Sequence, residues 1–535
     1  MLTYTQNKRS YFVKHNDIVN DNCSLGIELG STRIKAILID ENNKPLASGG
    51  FTWNNKMIDG YWSYSIEDIW KGLAISYSEL KMDVKKKYNT TITTFKAIGI
   101  SAMMHGYLVF DKNDELLVPF RTWRNTYTKE SSEKLASVFN FPIPQRYSIA
   151  HLYQAILNNE KHINDINKMT TLAGYIHYKL TNNFVIGIGD ASGMFPIDCK
   201  TKDYNKKYIK QFNEISNLKY SIKEILPKVQ TAGQLAGLLT LEGAHLLDQE
   251  GDLLPNIPLC PPEGDAGTGM VSTNSIKVNT GNVSAGTSVF AMIVLEKELS
   301  NFYDKLDFVT TPDGFLTAMV HSNNCTGDYD AWLSMFKEVI EISGGHITTA
   351  QLYDKILNQA LLGDKDCGGL LCYNYLSGEP ITDFNDGRPI FTRKLNSNFN
   401  LANFMRAQLY TSLCILRMGL DLLYEKEKVH VDSITGHGGF FKTPLVGQTV
   451  MANATHTPIN VVESSGEGGA WGIAILANYV GETISLPEYL DSKVFNNIKI
   501  DTVIPTKEDC DGFNRFYELY KGSLAIESAA IHCLK

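Results

Sequence analysis

Near the start of the chain, short runs of hydrophobic residues alternate with short polar segments, and this pattern predicts strands and tight turns. Two apolar runs, 25–29 and 34–39, flank a turn at residues 30–32. A second turn at 41–44 and a further strand before Trp53 follow. Short apolar runs bounded by Gly, Ser, Asn and Asp are typical of hairpins, so the chain is predicted to begin with three hairpin-connected strands.

A helix is predicted directly after these strands. Ser65 with Asp68 resembles a capping box, an arrangement that begins many helices. The apolar residues that follow have the spacing of one buried helix face; they are Ile66, Ile69, Trp70 and Leu73. An apolar strand at 97–102 comes next. Three hairpin strands, a helix and a strand form the opening of a ribonuclease-H-like α/β lobe.

The same order recurs in the second half of the chain. Strands are predicted at 283–285 and 289–294, then at 315–321, and a helix near 329–340. The predicted fold class is therefore α/β, with two ribonuclease-H-like lobes of the actin and hexokinase type and an interlobe cleft.

Later segments complete the predicted organisation. A long helix carries a broad apolar stripe made by Leu401, Phe404, Met405, Leu409, Leu413, Leu416, Leu420 and Leu423. Glycine turns follow at 436–439 and 466–472, an apolar helix at 470–476 and an amphipathic helix around 513–520. With a lobe boundary near Asn274, the predicted parts are a polar extension 1–22, lobes 23–274 and 275–490, and a tail 491–535 that packs on a lobe.

The composition of the chain limits the kinds of binding partner and the cellular compartment that can be expected. The chain has 535 residues, 20% of them charged, and a net charge of -8, which argues against nucleic acid or an anionic membrane as the main partner. No apolar run is long enough to span a bilayer, and the first 22 residues lack the apolar core of a signal peptide. Nine scattered cysteines predict no disulfide framework and no structural metal. We expect a cytoplasmic protein with a small-molecule ligand.

One turn occurs twice and suggests a ligand. Each copy is a Gly followed by two hydroxyl residues between two predicted strands; the copies are Gly30, Ser31 and Thr32, and Gly286, Thr287 and Ser288. Backbone N–H groups and hydroxyls of such turns can converge on an anion. Either copy alone can also be read as an ordinary turn. Their repetition favours two clamps on one polyphosphate.

Asp265 is the candidate for catalysis. The chain has neither a P-loop nor a GxGxxG motif, so ATP would be bound by paired hairpins, as in the actin-like ATPases. Asp265 lies in the Gly-rich run 263–267, upstream of the second turn, where a carboxylate can act as a general base on a hydroxyl. An Asx cap is the structural alternative.

With these residues in view, the chain resembles the FGGY carbohydrate kinases, which phosphorylate sugars with ATP. The resemblance covers roughly residues 24 to 480 in the order expected of the family. The matching motifs are the turn region from Gly26 to Lys35, then Met104, His105 and Gly106, Trp123, Gly264 with Asp265, Gly286 to Ser288, Gly368 to Glu379, Arg406 with Ala407, Thr435 to Gly439, and Gly468 to Gly472.

The resemblance implies a role for each motif. It implies that Asp265 is the base, with sugar binding in the N-terminal lobe and ATP binding in the C-terminal lobe. The implied sugar contacts are Met104, His105, Trp123 and Asn125. The implied ATP contacts are Gly30, Ser31, Thr32, Lys35, Gly286, Thr287, Ser288, Gly438, Gly439, Gly468 and Gly469. Mg²⁺ is implied at Glu28 and Asp265.

The chain departs from the family pattern at several positions. Glu28 stands where the first loop normally has Asp, and Asn125 and Tyr127 stand where the sugar loop often has Asp and Arg. Pro380 stands where an Arg often follows Gly378 and Glu379. These changes leave the kinase chemistry in place and the sugar open.

Two candidates keep a structural alternative. His105 at a strand end can be a structural residue, although Met104 and Gly106 beside it favour a ligand role and argue against glycerol, since glycerol kinases tend to have Arg and Glu at the positions of Met104 and His105. Asp190 can line the cleft or cap a loop.

The main hypothesis is an ATP-dependent kinase for a ketose, with a pentulose as the leading candidate and a xylulokinase or ribulokinase as the type. A deoxyketose or polyol kinase is an alternative. Two other classes remain: a non-catalytic sugar and nucleotide sensor on the same fold, favoured by Glu28 and Asn125, and an actin-like or chaperone ATPase, which would not need a sugar site. A homodimer is a candidate assembly.

Overall fold

The computed structural model describes Ile18 and residues 21–301, 303–462 and 468–534. Most of the predicted extension 1–22, and the glycine at 466, lie outside the described residues. The chain divides into two compact units. The first unit contains residues 1–276, 308–317 and 466–497, and the second contains 277–307, 318–465 and 498–535.

The first unit is built on one mixed sheet. Its strands, in spatial order, are Gly237–Leu238, Pro258–Leu259, Ala97–Ala102, Ser24–Leu29, Arg33–Ile39 and Pro45–Thr52, and Glu263–Gly264 also pairs with Ala97–Ala102. Ser24–Leu29 is antiparallel to Arg33–Ile39 and parallel to Ala97–Ala102. The predicted hairpins and the predicted strand 97–102 are confirmed.

The helix that follows the hairpin strands packs against this sheet as its apolar spacing predicts. It spans Ile66–Tyr88, and the Asp68 N–H donates to Ser65 Oγ at 3.0 Å. Ile69 and Leu73 are fully buried in the core of the unit. Ser65 caps the start of the helix because its hydroxyl satisfies an N–H group that has no partner within the helix.

Smaller elements complete the first unit. Its other helices are Lys129–Phe139, Ser148–Leu157, Leu172–Thr181, Ile188–Ser192, Lys206–Ser216, Ile222–Ile225, Leu241–Leu247, Asp265–Ser272, Gly468–Asn478 and Leu486–Tyr489. Two-stranded ribbons pair Lys56–Ile58 with Tyr61–Ser63, Leu108–Phe110 with Lys168–Thr170, Val185–Gly187 with Lys228–Gln230, and Ile197–Asp198 with Asp203–Tyr204. Strand Asp307–Thr310 lies largely in the segment 308–317.

The second unit repeats the arrangement of the first. Its sheet has the strand order Leu316–Ser322, Val289–Val294, Thr280–Ala285, Ser433–His437, Ile459–Val462 and Ile500–Val503. Thr280–Ala285 is antiparallel to Val289–Val294 and parallel to Ser433–His437. Three hairpin strands followed by parallel strands are therefore present in both units, and the predicted two-lobed ribonuclease-H-like α/β fold is confirmed.

Helices surround the second sheet. They span Gly327–Ile342, Thr349–Ala360, Leu401–Asp421, Val446–Thr455, Lys507–Gly522 and Leu524–Cys533, and a ribbon pairs Leu370–Tyr373 with Ile390–Arg393. The helix Leu401–Asp421 buries almost all of its residues, as its apolar stripe predicts. Among the described residues, no helix is long and apolar enough to cross a membrane.

The helix Gly468–Asn478 belongs to the first unit, whereas the sequence pattern assigns it to the lobe 275–490. Glycines explain its placement, because they let the helix backbone approach closely. A Cβ at Gly26 would lie 2.3 Å from the Ala470 carbonyl oxygen, and one at Gly472 would lie 2.1 Å from the Thr268 carbonyl oxygen.

Candidate active site

Asp265 is the first residue of the helix Asp265–Ser272 and directly follows the strand Glu263–Gly264. Its Oδ1 accepts a hydrogen bond of 3.2 Å from the Met104 N–H. Burial raises the pKa of Asp265 above its ordinary value, although N–H groups of Met104 and Ala266 oppose the shift. The structure therefore brings together the proposed base and the first residue of the predicted sugar-binding turn.

Glu28 lies at the end of the strand Ser24–Leu29, and its carboxylate meets the start of a helix. Oε2 accepts a hydrogen bond of 3.1 Å from the Ala470 N–H. A Cβ at Gly469 would lie 2.3 Å from Glu28 Oε1, so a larger residue there would displace the Glu28 carboxylate. Burial, and next the negative charge of Asp265, raise the pKa of Glu28 to about 7. Gly469 thus lies against Glu28, within the first unit.

The first hydroxyl turn is held by aromatic side chains. The Tyr64 hydroxyl donates to the Ser31 carbonyl oxygen at 2.5 Å, and the Trp53 indole N–H donates to the Gly30 carbonyl oxygen at 2.8 Å. The Gly30 N–H closes the turn on the Arg33 carbonyl oxygen. The hydroxyl-bearing residues Ser31 and Thr32 are exposed, so they, and not the Gly30 N–H, are presented to solvent.

Glu263 is a buried residue that sequence reasoning did not single out. Its Oε1 and Oε2 accept hydrogen bonds from the N–H groups of Gly189 and Asp190, at 3.2 and 3.0 Å. A Cβ at Gly187 or Gly189 would lie within 2.3 or 2.4 Å of the carboxylate oxygens. Glu263 therefore holds the strand Glu263–Gly264, which Asp265 directly follows, against the helix Ile188–Ser192. The sequence signal that could have indicated Glu263 is its position two residues before Asp265 and directly after the pair Pro261 and Pro262.

Glu263→Gln is expected to lower kcat by roughly 10- to 100-fold, because a shift of Asp265 by a fraction of an ångström impairs proton transfer. The amide N–H₂ of Gln would face a backbone donor, so the free energy of unfolding should also fall by roughly 1–3 kcal/mol. Steady-state kinetics and thermal unfolding measure the two effects.

Lys81→Met is the matched control. Lys81 is a buried charge of the first unit whose Nζ lies 2.8 Å from Asp248 Oδ1, so its loss should destabilise the protein without lowering kcat at a temperature where the variant is folded. If Glu263→Gln loses stability and keeps wild-type kcat, then Glu263 does not position Asp265.

The predicted sugar-binding turn has an unusual backbone. His105 has φ = 67° and Gly106 has φ = 91°, and a non-glycine residue in this region is often found at functional sites. The His105 ring is buried and stacks on Tyr147 with 5.0 Å between the ring centroids. Met104 is also buried.

Of the two residues predicted to bind the sugar in this loop, one is exposed to solvent and the other is buried. Trp123 is 41% exposed and can offer its ring to a ligand, whereas Asn125 is buried. Asn125 Oδ1 accepts from the Trp62 N–H at 2.9 Å, and its Nδ2 donates to the Trp62 and Thr122 carbonyl oxygens, also at 2.9 Å. The Asn125 amide thus braces the loop from within.

Asp190 is fully buried. Its Oδ2 accepts a hydrogen bond of 2.5 Å from the Thr171 hydroxyl, and within the described ranges its Oδ1 has no hydrogen-bond partner. Burial is the main cause that raises the pKa of Asp190 and of Glu263; the charge of Asp265 also raises the pKa of Asp190, and the charge of Asp190 also raises that of Glu263.

The second hydroxyl turn lies in the second unit. The Gly286 N–H closes the turn on the Ser288 carbonyl oxygen at 2.9 Å. The N–H groups of Cys325 and Thr326 hold the Thr287 and Gly286 carbonyl oxygens at 2.9 and 3.0 Å. As in the first turn, the glycine N–H is used internally, and the Thr287 side chain is exposed.

The glycine turn after the strand Ser433–His437 packs against Ala285, the residue that precedes this second turn. Gly438 has φ = 99°, and a Cβ on it would lie 2.4 Å from the Ala285 carbonyl oxygen. Beside it, a cavity of about 490 Å³ is lined by Gly439, Tyr329, Asp330, Thr349, Tyr353 and Lys442, among others. Its volume falls in the range of small-molecule sites, and a nucleoside is of suitable size.

The carboxylates of the first unit fit a magnesium ion. Carboxylate oxygens are ligands that Mg²⁺ prefers, and it usually binds proteins through one or two of them together with phosphate oxygens. Burial is the main cause that raises the pKa of Glu28, and the negative charge of Asp265 adds to it; a cation bound beside Glu28 would offset that negative charge. Within the described part of the chain, no group of three or more His, Cys, Asp or Glu side chains could hold a metal by itself.

Comparisons with known proteins place this chain in a family. The N-terminal domain of the FGGY family of carbohydrate kinases matches residues 23–271, and the C-terminal domain matches residues 281–480. The xylulose kinase of Haemophilus influenzae is 25% identical over 498 residues, covering 89% of this chain and 95% of that protein.

Solved structures show the same fold. The ligand-bound xylulose kinase from Lactobacillus acidophilus has a TM-score of 0.76 at 18% identity, covering 96% of this chain and 99% of that chain. The gluconate kinase from Lactobacillus acidophilus has a TM-score of 0.75 at 18% identity, covering 94% of this chain and 98% of that chain. Two kinases of different name share the fold about equally, so the fold does not assign the sugar.

The two family domains follow one another and together match most of the chain, from residue 23 to residue 480. The first of them ends on the helix that begins at Asp265. This protein therefore belongs to the FGGY family of carbohydrate kinases.

Proposed function

We propose that this carbohydrate kinase transfers the γ-phosphoryl group of ATP to a hydroxyl group of a ketose, with a pentulose as the preferred substrate and Asp265 as the general base. The similarity to a xylulose kinase over almost the full chain supports the ketose. The hydrogen bond between Asp265 and Met104 carries the proposal, because it puts an acid with a raised pKa beside the turn that the family resemblance assigns to the sugar.

In the proposed reaction, Asp265 accepts the proton of the sugar hydroxyl as the hydroxyl oxygen bonds to the γ-phosphorus of ATP. The bond between that phosphorus and the bridging oxygen of the β-phosphate breaks, and ADP leaves. A base works best when its pKa approaches the working pH, and burial moves the pKa of Asp265 in that direction. The Met104 N–H keeps the carboxylate oriented. Trp123, which is exposed, would stack on the carbon chain of the sugar, and this contact would exclude water from one side.

ATP is proposed to bind the turns and glycines identified above. In the second unit these are Gly286, Thr287 and Ser288 together with Gly438 and Gly439, next to the 490 Å³ cavity. In the first unit they are Ser31, Thr32 and Lys35, with Gly468 and Gly469 at the start of the helix Gly468–Asn478. When bound at Glu28 and Asp265, Mg²⁺ would offset the negative charge of the phosphates.

The proposal is tested by ADP release from MgATP across a panel of ketoses, deoxyketoses, aldoses, polyols and sugar acids. A pentulose should give the highest kcat/KM. If the enzyme prefers a polyol or a deoxyketose, it is still a sugar kinase, but the assignment of a ketose as its substrate is wrong. If sugars bind but none of them causes ADP to be released from MgATP, the protein acts as a sugar and nucleotide sensor.

A further inference from the structure

Asp330 is an acid of the second unit that lines the cavity of about 490 Å³ described above. It lies in the first turn of the helix Gly327–Ile342 and is partly exposed. One carboxylate oxygen, Oδ1, accepts a hydrogen bond of 2.7 Å from the Tyr353 hydroxyl. Among the described residues, the other oxygen, Oδ2, accepts no hydrogen bond. Because a carboxylate accepts several hydrogen bonds, Asp330 keeps acceptor capacity for a ligand in the cavity.

Tyr353 fixes the orientation of this carboxylate. It belongs to the helix Thr349–Ala360 and also lines the cavity. Burial, and next the hydrogen bond to Asp330, raise the pKa of the Tyr353 hydroxyl, so the hydroxyl keeps its proton and remains the donor. The Asp330 side chain cannot turn away from Tyr353 without breaking this bond.

Asp330 is one helical turn away from a proposed phosphate-binding turn. The Thr326 N–H donates to the Gly286 carbonyl oxygen at 3.0 Å, and the Asp330 N–H donates to the Thr326 carbonyl oxygen at 3.0 Å. One turn of helix advances by about 5.4 Å. A phosphate beside Asp330 would meet a like charge. A nucleotide with its phosphates at Gly286–Ser288 would therefore present its uncharged part, the nucleoside, to this carboxylate.

Ribose matches the Asp330 carboxylate better than the base does. Ribose directly follows the phosphates in a nucleotide, and its 2′- and 3′-hydroxyls are adjacent donors for a group that only accepts. An acidic side chain bonds the ribose 2′-hydroxyl in dinucleotide-binding folds by the same chemistry. Adenine carries its amino donor beside a ring nitrogen that only accepts, and that nitrogen would face the carboxylate unfavourably. Thr349 and Ala350, which also line the cavity, have small side chains and leave room for the base.

We infer that Asp330 is a specificity-determining residue, which accepts hydrogen bonds from the ribose hydroxyls of the nucleotide, and that Tyr353 is its positioning residue. The inference rests on the proposed function, because it takes the phosphates of the nucleotide to bind the turn Gly286–Ser288. It follows that the protein distinguishes a ribonucleotide from the corresponding 2′-deoxyribonucleotide.

Calorimetric titration of the full chain with ADP and with 2′-deoxy-ADP, both with excess Mg²⁺, tests the inference. Wild-type protein should bind ADP roughly 10-fold more tightly, because the deoxynucleotide lacks one hydrogen bond to a charged acceptor. Asp330→Asn removes the charge with little change in size. It should weaken the binding of ADP more than that of 2′-deoxy-ADP, and the two Kd values should then agree within about 3-fold.

Tyr353→Phe separates positioning from packing, because it keeps the ring and removes only the hydroxyl that holds Asp330. This variant should also lower the ratio of the two Kd values, and combining it with Asp330→Asn should add little. Asp511→Asn is the control, since Asp511 is an exposed acid of the second unit that pairs with Lys507 of its own helix. It should leave the ratio at the wild-type value.

Inosine diphosphate tests the base separately, since it keeps the ribose of ADP and has a carbonyl group in place of the amino group. Its affinity relative to ADP should be the same in wild type and in Asp330→Asn. A change in this relative affinity, with an unchanged ratio for 2′-deoxy-ADP, would place the carboxylate on the base and overturn the inference.

The inference is also overturned if Asp330→Asn weakens the binding of ADP and 2′-deoxy-ADP equally, or of neither. Tyr353→Phe decides the matter if Asp330→Asn does not fold. The proposed function fails in a different measurement: ADP would then bind with the expected preference over 2′-deoxy-ADP, but no sugar would cause ADP release from MgATP.

Discussion

Asp265→Asn is expected to lower the rate of sugar phosphorylation by about 10²- to 10⁴-fold, the usual contribution of a general base. The amide is close in size to the carboxylate, and its Oδ1 can still accept the Met104 N–H that Asp265 accepts at 3.2 Å. The fold and the sugar-binding turn should therefore persist. What is lost is the capacity to take a proton from the attacking hydroxyl.

Single-turnover kinetics at saturating sugar and ATP measure this effect on the chemical step. Calorimetric titration with a non-hydrolysable ATP analogue should give nearly the wild-type affinity, provided that Mg²⁺ is in excess. Asp203→Asn is the control, because Asp203 is a half-exposed acid of the first unit that pairs with Lys223. Wild-type turnover by Asp265→Asn would remove Asp265 from the role of base.

Gly438→Ala is expected to raise KM for ATP on the order of 10- to 100-fold. Gly438 has φ = 99° and ψ = -175°, a region that essentially only glycine adopts and that costs other residues roughly 1–3 kcal/mol. The new Cβ would also lie 2.4 Å from the Ala285 carbonyl oxygen. Because Ala285 leads directly into the turn Gly286–Ser288, relief of this clash displaces a proposed phosphate contact.

Gly344→Ala separates backbone strain from displacement of the turn. Gly344 belongs to the same unit and has φ = 82°, but a Cβ on it would meet no heavy atom within 4 Å. This variant should lose a small amount of stability, roughly 1 kcal/mol, and keep the wild-type KM for ATP. An unchanged KM in Gly438→Ala would mean that the turn does not bind the nucleotide.

Local sequence pattern was sufficient to predict most of the elements that support the site. The strand Ala97–Ala102 occurs within its predicted bounds, and the helix after Ser65 begins with the predicted cap. Hairpins and amphipathic helices depend on neighbours a few residues apart, so their signals are complete in a short window. The helix Gly468–Asn478 was different, because its place depends on the approach of Gly26 to Ala470 across most of the chain.

In the candidate site, too, some features could be predicted from the sequence, whereas contacts between distant residues could not. The proximity of Asp265 and Met104 agrees with the family order of motifs, although their roles remain proposals. The bonds of Glu263 to Gly189 and of Arg146 to His105 could not be predicted. They join residues far apart in the chain, and a single sequence carries no signal of which buried donor a carboxylate or an imidazole will meet.

Asn125 illustrates a further limit. Its amide is chemically able to bind a sugar hydroxyl, and the sequence pattern places it in the right loop. In the structure the amide instead holds Trp62 and Thr122, because a buried amide must satisfy its own hydrogen bonds before it can serve a ligand. Type and position of a residue therefore predict a capacity, and burial decides how that capacity is used.

We propose that one chain couples ATP cleavage to phosphorylation of a sugar through Asp265. The most direct test is the ratio of sugar phosphate formed to ADP released, measured in one reaction with wild-type protein, MgATP and a 2-ketopentose. We expect one sugar phosphate for each ADP, no ADP release without sugar, and loss of both products in Asp265→Asn. ADP release that is independent of sugar would contradict it and would indicate an ATPase.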